Sequence, residues 1–263
     1  MDITLKGIKI FCERGGGTDA SGGGTDGREN APDVAPVVLL HGWGACGATM
    51  RILFDGLKAD NRAVFAPDLP FFGQSEPPPE SWGVYDYADL AADLIRAACG
   101  GAAAVVIGHS FGGRLGIILA AKYPELVQKL VLIDAAGCKP KIDLKKRLKI
   151  IRHKIRSLLG LKPERTAGSA DYRALPDNMK GVFVRVVNES LEPLFGKIGA
   201  PTLIIWGDRD RDTPPYMARR MNKKIRGSGL VMLAGAGHYS FLDAPTRVLA
   251  AIKSFIGQRM EFT

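Results

Sequence analysis

The chain has 263 residues, of which 46% are hydrophobic and 24% are charged, a composition that excludes a wholly disordered or fibrous protein. Its net charge of +9 is concentrated in residues 139–165, where eleven Lys or Arg stand against two acids. The rest of the chain balances 25 basic against 25 acidic residues, which argues against a protein that covers nucleic acid with a broad basic face.

The sequence also bears on where the protein works. Apolar runs such as residues 37–40 and 131–133 are far shorter than the roughly 20 residues that cross a bilayer. Residues 1–6 contain no basic stretch followed by an apolar core, so no secretory signal is expected. The four cysteines form no Cys-x-x-Cys pair, which argues against a zinc or dithiol site. We therefore expect free thiols and a cytoplasmic location.

Strands and helices alternate along most of the chain. Residues 3–13 predict an edge strand, and the Gly-rich residues 14–33 predict a flexible loop. Further strands are predicted at 34–40, 62–67, 103–108, 127–135, 201–206 and 230–233, and helices at 49–59, 85–99, 112–123, 215–225 and 245–259. This alternation predicts a parallel sheet covered on both faces, with ligands at the carboxyl ends of its strands.

Ser110 is the candidate nucleophile. It is the centre of a Gly-His-Ser-Phe-Gly sequence that follows a predicted strand and opens a predicted helix. Glycines on either side leave room for a sharp strand-to-helix turn at the serine, and the helix N-terminus directs free N–H groups at a developing oxyanion. The alternative is a Gly-rich turn in which Ser110 is an ordinary N-cap.

A serine nucleophile needs a base, and imidazole suits this role because its pKa lies near the working pH. The chain has four histidines. His109 adjoins Ser110, and neighbouring side chains diverge on a sharp turn; His41 ends an early strand, and His153 lies in the basic segment. His238 follows the last predicted strand, so we predict that it reaches the same sheet edge as Ser110. The alternative is a turn histidine that caps the final helix.

The base in turn needs an acid that fixes its tautomer. Asp208, Asp210 and Asp212 follow one predicted strand, and Asp134 ends an earlier one. Position alone does not separate these four aspartates, and a solvated loop aspartate or an ion pair with Arg209 is the alternative, particularly for Asp208.

Taken together, the motifs resemble those of the α/β-hydrolase superfamily over almost the whole chain. In order, they are residues 41–44 (His-Gly-Trp-Gly), 68–75 (Asp-Leu-Pro-Phe-Phe-Gly-Gln-Ser), 108–113, 207–210 (Gly-Asp-Arg-Asp) and 237–238 (Gly-His). The chain order Ser, Asp, His is that of the superfamily. The resemblance implies a mostly parallel, eight-stranded sheet with helices on both faces and a small helical cap.

The resemblance also implies roles for individual residues. The triad would be Ser110, Asp210 and His238, and the oxyanion hole would be the backbone N–H groups of Trp43 and Phe111. A serine nucleophile disfavours the haloalkane dehalogenase and epoxide hydrolase branches, which use an aspartate. Phe71 is a departure, because members of the superfamily often have Gly there, and it implies a bulkier loop that does not touch the triad.

In this superfamily a cap is inserted after the sixth strand. The resemblance therefore divides the chain into a core at 1–136, a helical cap at 137–196 and the rest of the core at 197–263. An amphipathic helix with a basic outer face is predicted from the spacing of Leu144, Leu148, Ile151, Ile155 and Leu158. A solvated lid helix is the favoured interpretation, ahead of an interfacial helix on anionic lipid and a guide for an anionic substrate. Leu191, Leu194 and Phe195 either line an apolar pocket or pack in the core, and the sequence does not decide between these two roles.

We therefore expect a serine hydrolase that cleaves a small-molecule carboxylic ester through an acyl-enzyme, without a cofactor or a metal and without a nucleic-acid partner. A carbon–carbon bond hydrolase, a thioesterase, an aminopeptidase and a perhydrolase use the same triad, and the fold does not decide among them. Two non-enzymatic alternatives are a ligand-binding module on a hydrolase scaffold and a membrane-surface protein led by the basic helix.

Overall fold

The structure is a computed structural model that describes residues 1–17, 34–60, 62–140 and 170–257. Its strands form one eight-stranded sheet of order β1-β2-β4-β3-β5-β6-β7-β8. They are β1 (Asp2–Leu5), β2 (Ile8–Gly15), β3 (Val37–Leu40), β4 (Val64–Pro67), β5 (Ala104–His109), β6 (Val127–Ile133), β7 (Thr202–Gly207) and β8 (Gly229–Leu233). The pairs β1–β2 and β2–β4 are antiparallel and the other pairs are parallel. The mostly parallel sheet is therefore confirmed.

The N-terminal part differs from the prediction of a single edge strand over residues 3–13. It is a hairpin, in which Leu5 pairs with Ile8 across a two-residue turn. Lys6 and Gly7 both have positive φ, 51° and 77°, which is the backbone that a tight hairpin turn requires. Strand β2 continues to Gly15, so the predicted loop at 14–33 begins too early, and residues 18–33 lie outside the described residues.

Helices cover both faces of the sheet, and each face has its own core. They are α1 (Arg51–Lys58), α2 (Val84–Ala98), α3 (Phe111–Lys122), α4 (Ala170–Ala174), α5 (Asp177–Asn188), α6 (Tyr216–Lys224), α7 (Ser240–Asp243) and α8 (Pro245–Gly257). Val38 and Leu40 pack into the core with α2, α3, α5 and α6. Val37 and Leu39 pack into the other core with α1, α7 and α8. This two-sided burial explains why β3 is a continuous apolar run.

Within the described ranges, no helix combines the length and apolarity that a membrane crossing would need.

Of the predicted cap range at 137–196, the structure describes residues 137–140 and 170–196. Helices α4 and α5 and a 3-10 helix at Glu192–Lys197 connect β6 to β7. The predicted amphipathic helix that contains Leu144 and Leu158 lies outside the described residues, and the cap boundaries stay a prediction. Leu191 and Phe195 are completely buried in the larger core and Leu194 packs against it, so packing rather than pocket lining accounts for Leu191 and Phe195.

Candidate active site

Ser110 occupies a strained turn between β5 and α3. Its φ of 50° and ψ of −106° lie where a residue with a Cβ is rarely found. The turn is tight enough that a Cβ on Gly108 would overlap the Gly112 carbonyl, and a Cβ on Gly112 would overlap the Leu40 carbonyl. The glycines on both sides of the serine are therefore required by space, and the turn leaves the Ser110 side chain partly exposed at the sheet edge.

The side chains of Ser110, His238 and Asp210 form a hydrogen-bonded chain. The Ser110 Oγ lies 3.0 Å from His238 Nε2, and His238 Nδ1 lies 2.9 Å from Asp210 Oδ2. Because an ionised carboxylate only accepts hydrogen bonds, Nδ1 carries the proton and Nε2 is free to accept the serine hydrogen. Residues far apart in the sequence thus meet at the carboxyl ends of β5, β7 and β8.

Burial and charge act in opposite directions on this pair. Burial lowers the pKa of His238, but the hydrogen bond from its ring to Asp210 and the charge of that carboxylate raise it by more, so the pKa lies above its ordinary value. Burial likewise raises the pKa of Asp210, whereas hydrogen bonds from His238 and Thr213 lower it by more, and the carboxyl stays ionised.

Thr213 is a member of this site that the sequence reasoning missed. Its Oγ1 lies 2.6 Å from Asp210 Oδ2, and its backbone N–H donates to Asp210 Oδ1 over 2.9 Å. The backbone N–H of Asp212 donates to the same Oδ1 over 2.8 Å. The carboxylate is therefore fixed on both oxygens before it meets the imidazole. The one signal in the sequence was a hydroxyl residue three positions after the aspartate.

Among the described contacts, His238 is hydrogen-bonded to Asp210 and to none of the other three acid candidates. Asp134 is completely buried and accepts the N–H groups of Gly207 over 2.8 Å and Ser240 over 3.0 Å. It therefore links the loop after β7 to the segment after β8. Asp208 accepts the Gly235 N–H over 2.8 Å. The Asp212 side chain is exposed, so Asp210 is the carboxylate whose hydrogen bond to the base the structure describes.

The other described histidines do not reach Ser110. His41 is buried, its Nε2 accepts the Leu69 N–H over 2.9 Å, and its Nδ1–H therefore donates to the Gly42 carbonyl over 2.8 Å. Because the peptide bond between Gly42 and Trp43 is trans, the Trp43 N–H points in the opposite direction from the Gly42 carbonyl. Burial lowers the pKa of His41 to about 4, so this ring stays neutral. His109 bonds to the backbone of His238, and His153 lies outside the described residues.

Two backbone donors are available beside the serine. Phe111 is the first residue of α3, where an N–H has no intrahelical acceptor. In the part of the chain that the structure covers, neither its N–H nor that of Trp43 donates to another group. Their use as an oxyanion hole stays a prediction.

The loop after β4 holds Phe71 in the left-handed region, with φ 81°. Asp68 anchors this loop, because its carboxylate accepts the N–H groups of Gly47 over 2.7 Å and Gln74 over 2.8 Å. The Phe71 ring packs edge-on against Phe72 with centroids 5.4 Å apart. The position at which the superfamily often has Gly is thus one that favours glycine.

An aromatic cluster joins the cap range to the site. The Trp43 ring lies edge-on against Phe72, Phe111 and Phe183, with centroid distances of 5.0, 5.2 and 5.2 Å. Phe183 belongs to α5, so this helix packs directly on the residue after His41-Gly42. Trp43 and Phe111, which supply the two candidate oxyanion donors, therefore have aromatic surroundings.

A buried guanidinium holds the end of α5. Arg114 lies one turn after Ser110 on α3 and donates to the carbonyls of Glu189 over 2.8 Å and Val187 over 3.0 Å. Burial lowers its pKa to about 10, which leaves it charged. A cation at a helix C-terminus also interacts favourably with the helix dipole.

Among the described residues, donor atoms close enough to hold a metal ion occur on Asp210, Asp212 and His238, within 4.8 Å of one another. Two of these residues already share a hydrogen bond, and a metal on Nδ1 would displace the proton that Asp210 accepts. The arrangement therefore favours the hydrogen-bonded pair.

Comparisons with known proteins show what the chain is similar to. The sequence pattern of the Alpha/beta hydrolase family matches residues 37–252. A pimeloyl-[acyl-carrier protein] methyl ester esterase of Neisseria meningitidis serogroup B is 31% identical over 258 residues, which cover 87% of this chain and 96% of that protein.

Solved structures share the fold. An esterase from Exiguobacterium antarcticum superposes with a TM-score of 0.74 at 21% identity, and the alignment covers 98% of this chain and 99% of the esterase. A meta-cleavage product hydrolase from Pseudomonas fluorescens superposes with a TM-score of 0.71 at 19% identity, and the alignment covers 98% of this chain and 97% of the hydrolase. One of these proteins is named as an esterase and the other as a meta-cleavage product hydrolase, so the shared fold does not identify a substrate.

Proposed function

Because the chain belongs to the alpha/beta hydrolase family, we propose that it is a serine hydrolase that cleaves carboxylic esters. The observation that carries this proposal is the hydrogen-bonded chain from Ser110 through His238 to Asp210, with distances of 3.0 and 2.9 Å. The relative at 31% identity is itself named as a methyl ester esterase, which favours an ester over the other bonds that the same triad cleaves.

The proposed reaction begins with attack of Ser110 Oγ on the ester carbonyl carbon. His238 Nε2 takes the serine proton, a contribution of about 10²–10⁴ in rate, and Asp210 stabilises the imidazolium. The negative oxygen accepts hydrogen bonds from the N–H groups of Trp43 and Phe111, each worth about 10²–10³ in rate. His238 then protonates the leaving alcohol, and an acyl-serine remains.

Water completes the cycle. It attacks the acyl-serine carbonyl while His238 accepts its proton, and the carboxylic acid leaves as Ser110 regains its hydrogen. Each proton in this scheme moves through one imidazole nitrogen, so the chemistry requires neither a cofactor nor a metal.

The decisive test is labelling with a fluorophosphonate probe, which reacts with an activated serine. We expect labelling of the natural protein, loss of labelling and turnover in Ser110→Ala, and no effect of Ser254→Ala, a control at an exposed serine on α8. Turnover that survives Ser110→Ala would defeat the proposal. A folded natural protein that the probe does not label would favour the ligand-binding module.

Substrate class is tested with a panel. p-Nitrophenyl esters of rising chain length are compared with a thioester, an amino-acid arylamide and a ring-cleavage diketone. We expect the highest kcat/KM on an ester. If kcat/KM on another compound of the panel is tenfold higher or more, the bond in that compound is the substrate class instead.

A second candidate substrate is a methyl ester whose acyl group is attached to a carrier protein. Its support is the name of the Neisseria relative together with the eleven basic residues at 139–165, which would attract an acidic carrier. Hydrolysis of a carrier-bound methyl ester that falls steeply with salt, when the free methyl ester shows no such fall, would support this candidate over a free small molecule.

A further inference from the structure

His109 has no part in the proposed reaction, although it precedes the nucleophile. Its ring is only 1% exposed, and its Nε2 lies 2.8 Å from the main-chain carbonyl oxygen of His238. A carbonyl oxygen only accepts hydrogen bonds, so Nε2 carries the hydrogen and donates it. Burial lowers the pKa of His109 to about 3, so the ring is neutral and its Nδ1 holds a lone pair.

The His109 ring packs against two other segments of the site. A Cβ on Gly42 would come within 2.8 Å of His109 Nδ1, so the loop before Trp43 closes one side. The rings of Tyr239 and Phe241 also pack against it, with centroids 4.9 and 5.1 Å from that of His109. The imidazole therefore packs against the segments that follow β3 and β8 while it is attached beside Ser110.

The chemistry of the ring indicates what it does there. Within the part of the chain that is described, Nδ1 is buried and has no hydrogen-bond partner, which is unfavourable. A phenyl ring would fill a similar volume without that penalty. What a phenyl ring cannot supply is the hydrogen bond to the His238 carbonyl, so this bond is the advantage of histidine at position 109.

The segment that carries His238 depends on such attachments. Residues 234–239 connect the end of β8 to α7 and contain no strand or helix. One backbone bond, from the Arg209 N–H to the Ala236 carbonyl over 2.9 Å, attaches them to the loop after β7, and side chains supply further attachments. Asp134 accepts the Ser240 N–H and Asp243 accepts the Gly237 N–H. His109 holds the carbonyl of the base itself.

We propose that His109 is a positioning residue, whose hydrogen bond to the His238 carbonyl sets the imidazole between Ser110 and Asp210. This inference rests on the proposed function, because it concerns the base of that reaction. It couples the nucleophile turn to the base segment through a single side chain.

The test compares two substitutions. His109→Phe keeps an aromatic ring and removes the donor, whereas the amide of His109→Gln can place an N–H near the position of Nε2. For His109→Phe we expect kcat on a p-nitrophenyl ester to fall by roughly 100-fold with KM nearly unchanged, because a small misplacement of a reacting group costs about this much. His109→Gln should recover most of the loss.

A packing control separates positioning from stability. Phe241 touches the same ring, so Phe241→Leu should lower the melting temperature and leave kcat at 20 °C within a few-fold of the natural value. The inference is wrong if Phe241→Leu lowers kcat as much as His109→Phe, if both substitutions of His109 lose activity equally, or if His109→Phe changes only the melting temperature.

Labelling with the fluorophosphonate separates this failure from that of the proposed function. If the natural protein is labelled at Ser110 and His109→Phe is labelled at the same rate, the positioning role alone fails. If the folded natural protein is neither labelled nor active on esters, both proposals fail together.

Discussion

The left-handed backbone at Phe71 predicts that glycine is more stable than alanine at this position, which is the reverse of the usual order. A residue with a Cβ costs about 1–2 kcal/mol in this region, and Phe71 has φ 81°. Phe71→Gly and Phe71→Ala both remove the ring and its contact with Phe72, so that loss is common to both variants. Only glycine relieves the backbone.

The magnitude follows from two opposing contributions. Elsewhere, glycine is less stable than alanine by about 0.5–1 kcal/mol because it loses more freedom on folding. Subtracting this from the backbone cost at Phe71 leaves glycine more stable than alanine by roughly 1 kcal/mol. For a chain of this size, that is a melting temperature about 2 °C higher.

The assay is thermal unfolding of both variants, with the same pair at Phe72 as the matched control. Phe72 is buried and is absent from the residues with positive φ, so Phe72→Ala should be more stable than Phe72→Gly. Opposite orders at the two neighbouring positions support the reasoning. If alanine is the more stable residue at both, backbone strain at Phe71 is refuted.

Three further predictions concern the charged groups of the site. Asp210→Asn should lower kcat by roughly 10⁴, because an amide no longer selects the Nδ1–H tautomer of His238; a loss below tenfold on a p-nitrophenyl ester would contradict the role. The plot of kcat/KM against pH should fall on the acid side through a pKa above the ordinary 6.5, because the base must be neutral, and an acid limb below 6.5 would speak against the charge of Asp210. Burial raises the pKa of Asp134 to about 7, so its contribution to stability is complete below about pH 4 and is lost as the pH rises to about 7. Asn is neutral throughout, and the melting temperature of the natural protein relative to Asp134→Asn should therefore fall between about pH 4 and about pH 7; a constant difference would show that Asp134 does not titrate there.

The positions of Ser110 and His238 could be predicted because each follows a strand, and parallel strands deliver their carboxyl ends to one edge. The acid could not be predicted in this way. Asp134, Asp208 and Asp210 all follow strands, and loop conformation decides which of them reaches the ring. Resemblance to the superfamily rather than spacing singled out Asp210.

The N-terminal hairpin was missed although the sequence contained its signal. The partly buried residues of β1, Ile3 and Leu5, occupy odd positions, whereas the buried Ile8 and Ile10 of β2 occupy even positions. A continuous strand keeps one parity on each face, so the shift at Lys6 and Gly7 indicates a turn. The role of His109 left no such signal, because it depends on a backbone carbonyl 129 residues away.

The attachment of Arg114 to α5 has a consequence for protein engineering. Lids are attractive parts to exchange between homologous enzymes when a new specificity is wanted. Here the acceptors of a buried guanidinium, the carbonyls of Val187 and Glu189, lie in the predicted cap range at 137–196, whereas Arg114 lies outside it on α3. A transplanted segment that does not place two carbonyls there would leave the Arg114 guanidinium buried without hydrogen-bond acceptors. Residue 114 therefore has to be exchanged together with that segment.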